Sequence, residues 1–73
     1  MHARDLRPYL GAHIGIRVTG GDIMTGILTK ANRTSIELFE AYLVSPHVEL
    51  GTTIINAAHI IHVQIIDRQE GTQ

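Results

Sequence analysis

Five short apolar stretches follow one another between His13 and Ile66, and the links between them are only a few residues long. Links of that length join antiparallel neighbours, because a parallel pair needs a crossover of a dozen residues or more. The first stretch, "HIGIRVT", alternates without a break. Ile14, Ile16 and Val18 share one face, and His13, Gly15, Arg17 and Thr19 share the other. Gly20 and Gly21 then supply a hairpin turn. "DIMTGILTKA" is the second strand, and its interior Gly26 marks a bend, a bulge or a close approach by another backbone. "ANRT" turns the chain again, with Asn32 able to take a positive φ. "SIELFEAYLV" is the third strand, and its alternation slips once. Ile36 and Leu38 face one way, while Phe39, Ala41 and Leu43 hold the opposite parity. That slip predicts a bulge near residues 38–39, or cover on both faces. Ser45-Pro46 closes the run, "HVELGTTIIN" is the fourth strand, "AAH" turns, and "IIHVQII" is the fifth.

Ahead of the strands, "RDLRPYLG" reads as one or two helical turns. Asp5 can cap them, Pro8 is tolerated in a first turn, and Gly11 suits a left-handed stop. Leu6, Tyr9 and Leu10 fall on one side, which places this turn against a sheet. The expected architecture is mainly β. A short helix over about residues 4–10 precedes five antiparallel strands over about 12–66 that suggest a small barrel of the OB or SH3-like kind, with a frayed polar tail at 67–73, all in one domain.

A chain of 73 residues buries only about 60–65% of the surface it exposes when unfolded, so its core alone is a thin source of stability. Such scaffolds add disulfides, a metal or a partner subunit. Cysteine is absent, which removes disulfides and thiolate metal sites together. Hydrophobic residues are nonetheless 44% of the chain, and only Tyr9, Phe39 and Tyr42 among them are aromatic. The surplus is Ile, Leu and Val, and it concentrates in the fifth strand. By parity, Ile61, Val63 and Ile65 form one face, with Ile60 and Ile66 on the other. A small barrel has one interior, so the second face calls for pairing with another copy. Ile60, Ile61, Val63 and Ile65 are therefore the expected oligomer interface.

Several function classes are disfavoured. A net charge of −1 does not suit a generally basic nucleic-acid binder, although a local patch repeated by symmetry remains compatible. "MHARDLRPYLG" lacks the apolar centre of a signal peptide, and no stretch approaches the roughly 20 apolar residues of a membrane span. A cytoplasmic location is the expectation. His59 and His62 lie on opposite faces of a strand, and His13 and His47 stand apart, so no metal site is expected. Glu37, Glu40 and Glu49 read as an outer polar surface, and Ser35 has no base beside it. Neither an enzyme nor a cofactor is expected.

In this frame, "HIGIRVTGGDIMTGIL" and "SIELFEA" resemble the first motif of the Sm-like family, which includes the bacterial Hfq proteins. Gly26 and Leu28 fit its Gly-x-Leu, and Ser35, Ile36, Leu38 and Ala41 fall in register with its Asn-Leu-x-Leu-x-x-Ala segment. Asn32 stands where the family has Asp. "INAAHIIHV" matches the apolar frame of the second motif at Ile55, Ile60 and Val63, with Asn56 in place of Arg and Ala57 in place of Gly. The resemblance covers about residues 6–66. It implies a bent Sm-fold barrel that closes into a ring of six or seven by pairing the fourth strand with a neighbour's fifth. It also implies single-stranded RNA binding near the pore, through loops that correspond here to residues 30–35 and 56–59.

On that footing Lys30 and Arg33 are the expected phosphate contacts, multiplied around a ring. Asn32, Ser35 and Asn56 are the candidates for base edges, and His59 for stacking or donation. Thr34 occupies the position where Sm proteins often carry an aromatic or His. Two other readings stay open. One is a ring-forming adaptor for protein partners with weak or no RNA binding. The other is an SH3-like barrel that does not assemble.

Overall fold

The computed structural model describes residues 3–67; the expectation of a frayed tail lies, from residue 68 onward, outside the described residues. A 3-10 helix, Ala3–Tyr9, leads into five strands: β1 (His13–Val18), β2 (Ile23–Ala31), β3 (Ser35–Leu43), β4 (Val48–Asn56) and β5 (Ile60–Asp67). A second 3-10 turn, Ala57–His59, joins β4 to β5. The strands form one antiparallel sheet in the order β4-β3-β2-β1-β5. The two edge strands are thus β4 and β5, the last two in sequence.

The expected short opening helix is present over Ala3–Tyr9. It is 3-10, and Pro8 sits near its end rather than in its first turn. Its inner contact is Leu6, which is buried, with Tyr9 half-buried, whereas Leu10 is 49% exposed. The tighter 3-10 spacing puts i and i+3 on one side and rotates i+4 away. Gly11 then turns the chain at φ +90, as expected.

Register shifts bend the sheet, and one of them falls where the alternation of β3 slips. In β3 the register with β4 shifts between Leu38 and Ala41, and Glu40 takes φ +53. The extra residue lets Leu38 and Ala41 both face inward, leaving Phe39 46% exposed. Gly26 of β2 crosses this bend at close range. A Cβ there would stand 3.0 Å from Leu38 Cβ and 3.2 Å from both Ala41 Cα and the Phe39 carbonyl oxygen. Only a residue without a side chain lets the two backbones approach so closely.

A bulge in β5 corrects the face assignment of that strand. Arg17 pairs with His62 and Val18 with Ile60, so Ile61 is skipped. The skip moves Ile60 onto the face of Val63 and Ile65. Those three stand opposite Val18, Ile16 and Ile14 and pack into the core of their own barrel. Ile61, grouped by parity with Val63 and Ile65, is instead separated from them and 61% exposed, and Ile66, skipped by another register shift, is 50% exposed. The core centres on Ile14, Ile16, Leu28, Ile36 and Leu38, all fully enclosed. Each such side chain contributes about 1.5–3 kcal/mol on burial.

The edges are left apolar and open. In β4 only Ile55 is buried, while Val48, Leu50 and Ile54 are exposed, Ile54 by 69%. Among the described residues no helix is long and apolar enough to cross a membrane, and no group of three or more His, Asp or Glu could hold a metal ion.

Candidate nucleic-acid interface

The turn between β2 and β3 is built by one side chain. Asn32 Oδ1 accepts from the backbone N–H groups of Thr34 and Ser35, each at 3.0 Å, and from Ser35 Oγ at 3.3 Å. The Asn32 N–H donates to the Ser35 carbonyl oxygen at 3.0 Å, closing the turn. This is the local side-chain-to-backbone bonding for which Asn is favoured in turns. It consumes the carbonyl end of the Asn32 amide and leaves its NH2 group without a partner among the described residues.

Asn56 plays the same part at the end of β4. Its Oδ1 accepts from the Ala58 N–H at 2.8 Å and caps the turn Ala57–His59. Ser35 and Asn56 are register partners across β3 and β4, and the Ala57 N–H donates to the Thr34 carbonyl oxygen at 2.7 Å. Two loops far apart in sequence are therefore held as one corner. Asn32, Thr34, Ser35 and Asn56 all belong to it.

The cations of this corner are unequal. Lys30 Nζ lies 4.0 Å from Glu37 Oε1, and its side chain is 73% exposed. Glu37 also accepts from Thr29 Oγ1 at 2.9 Å, so the carboxylate is held in place beside the lysine. Exposed pairs of this kind contribute little to stability. Arg33 projects from the turn, exposed and with no ion pair among the described residues. A third cation joins them, one that the sequence did not assign to the corner. Arg7 of the opening helix donates from Nε to the Ala31 carbonyl oxygen at 3.2 Å, which brings its guanidinium to the foot of the turn. The two residues are 24 apart in sequence, so no local pattern announces the bond.

A groove of about 200 Å³ runs along the corner, lined by Lys30, Asn32, Ser35, Ile36, Glu37 and Ile54. His59 does not line it. The His59 carbonyl oxygen accepts from Thr19 N–H at 2.8 Å and Thr19 Oγ1 at 3.3 Å, which ties that end of the turn to the β1–β2 hairpin. Among the described residues, the corner thus offers three cationic side chains, one carboxylate, two free amide NH2 groups and no aromatic ring in its groove.

A bent five-stranded antiparallel sheet, preceded by a short 3-10 helix and leaving its fourth and fifth strands as edges, defines a small β-barrel. The solved structures it resembles place it further. A heptameric archaeal Sm protein superposes with a TM-score of 0.78 at 14% identity, over 86% of this chain and 97% of the other. The SmAP1 heptamer of P. aerophilum gives 0.76 at 13% identity, over 86% and 89%. A further Sm-like archaeal protein, from Pyrobaculum aerophilum, gives 0.77 at 19% identity; it spans 90% of this chain, which in turn covers 52% of that longer one. The chain has the Sm fold. No family model matches its sequence, and no curated protein matches it significantly.

Proposed function

We propose that the protein assembles into a homo-oligomeric Sm-like ring of six or seven copies and binds single-stranded RNA at the corner formed by residues 30–35 and 56–59. The observation that carries this reading is the bond from Ala57 N–H to Thr34 O, which fuses the two loops into one surface with Lys30, Arg33 and Arg7 around it. One such corner is a weak phosphate site. Repeated around a ring, the same cations act together, and the release of counterions adds across copies. The edges support assembly: β4 and β5 are open, apolar and at opposite ends of the strand order. Two of the proteins with this fold are heptamers. The role is binding rather than catalysis.

Replacing Lys30 and Arg33 together by Ala tests the RNA contact. Affinity for short U-rich or A-rich RNA falls, and its salt dependence flattens. Unchanged affinity and slope would remove these side chains from the mechanism.

A second reading has its own support. Both carboxamide oxygens of the corner are spent on loop structure, Lys30 stands beside Glu37, and no ring lines the groove for stacking. Base stacking on aromatic side chains contributes about 1–3 kcal/mol per base in single-strand binders. A ring serving as a protein adaptor, with weak or no RNA binding, fits these features. Protein purified free of nucleic acid, with no RNA recovered in pull-downs, would favour it.

A further inference from the structure

The β3–β4 pair has two ends. Ser35 pairs with Asn56 at the cationic corner, and Leu43 pairs with Val48 at the other. Near that second end lies a larger groove, about 470 Å³, lined by Glu40, Ala41, Tyr42, His47, Glu49 and Gly51. Its character is the reverse of the corner's. The rings of Tyr42 and His47 stack with centroids 4.8 Å apart and planes 22° apart. Glu49 Oε2 lies 3.9 Å from His47 Nε2, and its side chain is 87% exposed. Glu40 is exposed and makes no ion pair among the described residues. None of the lining residues is Lys or Arg.

Glu40 also holds φ +53, a conformation that glycine adopts without cost and that other residues enter only under constraint. A glycine would suit the bulge, yet a carboxylate stands there, on the rim of the groove.

We propose that this groove binds an arginine side chain carried on a segment of a partner protein. Flat rings attract a cation over their faces, and a guanidinium adds its own plane to the stack. Its planar fork of N–H donors matches a carboxylate bidentately, a fit that a lysine ammonium lacks. An RNA phosphate would meet Glu40 and Glu49 as like charges, so the groove does not extend the RNA corner. The inference stands independently of RNA binding, because none of the groove's residues belongs to that corner.

The test is fluorescence anisotropy of a labelled Gly-Arg-Gly repeat peptide with the full chain, beside a control peptide carrying neutral citrulline for arginine. The arginine peptide binds, and the citrulline peptide does not. Replacing Glu40 and Glu49 together by Gln weakens binding about tenfold or more, while Lys30→Ala with Arg33→Ala leaves it unchanged. Chemical-shift mapping on the wild-type protein gives a second readout that needs no variant: the amides of residues 40–51 move, and those of residues 30–35 do not. The proposal is overturned if wild-type protein fails to bind the arginine peptide, if the citrulline peptide binds equally well, if the Gln variant keeps full affinity, or if the shifts fall at the corner. Displacement of the bound peptide by RNA in the Lys30/Arg33 variant would likewise overturn it, by assigning the groove to nucleic acid.

Discussion

The Ala57 N–H and the Thr34 carbonyl oxygen meet at 2.7 Å, and this backbone bond joins the two loops that carry most of the candidate recognition residues. Because both partners are main-chain atoms, the join does not depend on the identity of any side chain. What the side chains contribute is the shape of each loop before they meet, and Asn32 does this for the first.

Asn32→Ala removes an acceptor shared by two backbone N–H groups. The expected loss is about 0.5–2 kcal/mol, the range for deleting a capping side chain. Asn32→Asp keeps the acceptor oxygen but exchanges the NH2 group for a second, negatively charged carboxylate oxygen. Urea denaturation at fixed protein concentration should find Asn32→Asp close to wild type and Asn32→Ala clearly weaker. RNA affinity should fall in both, because both lack the amide donor and the Asp variant also adds a charge that repels phosphate.

Gly26→Ala forces a methyl group against the β3 backbone. With Ala41 Cα and the Phe39 carbonyl oxygen both at 3.2 Å, the neighbours cannot give way as a flexible side chain would. Overpacking of this kind costs about 1–3 kcal/mol. The same denaturation experiment measures it, and a neutral result would mean that the bend does not need this close approach.

Ile60 and Ile61 are neighbours in sequence with opposite fates. Ile60 is 8% exposed and faces the core, while Ile61 is 61% exposed on the edge strand. Ile61→Lys should leave the fold intact, at a cost within about 0.5 kcal/mol for an exposed site, and should break assembly, seen as a fall in mass by light scattering. Ile60→Lys should unfold the chain, seen as loss of the β signal in circular dichroism.

Arg7 reaches the corner from the opening helix. Arg7→Ala should weaken RNA binding to a similar degree whatever the sequence of the strand, and should reduce the salt slope by roughly one unit for the phosphate it no longer neutralises. A change that depends on RNA sequence would instead assign Arg7 to base recognition.

The strands were legible because each is a run of alternating or wholly apolar residues closed by turn chemistry. The slip between Leu38 and Phe39 even located the bend to within a residue or two, since a parity change in a strand that stays buried requires an insertion. The bulge at Ile61 was not legible. "IIHVQII" is apolar at both parities, so the pattern does not choose which Ile faces inward, and the pairing with Val18 decides it. The loops of the corner could be named from the spacing of the motifs, but the use of Asn32 and Asn56 as loop builders could not. A carboxamide reads the same in sequence whether it bonds its own backbone or a ligand. Arg7 and the Tyr42–His47 stack were hidden for a different reason, because each depends on residues brought together only once the chain has folded.

RNA binding at a shared pore requires that the open edges of β4 and β5 meet in a closed assembly. Native mass spectrometry of the purified protein at micromolar concentration measures this directly. A dominant species of six or seven copies of the 8.0 kDa chain is the predicted result. A spectrum containing only the 8.0 kDa protomer would contradict it, because the cationic corners would then never be brought together around a pore.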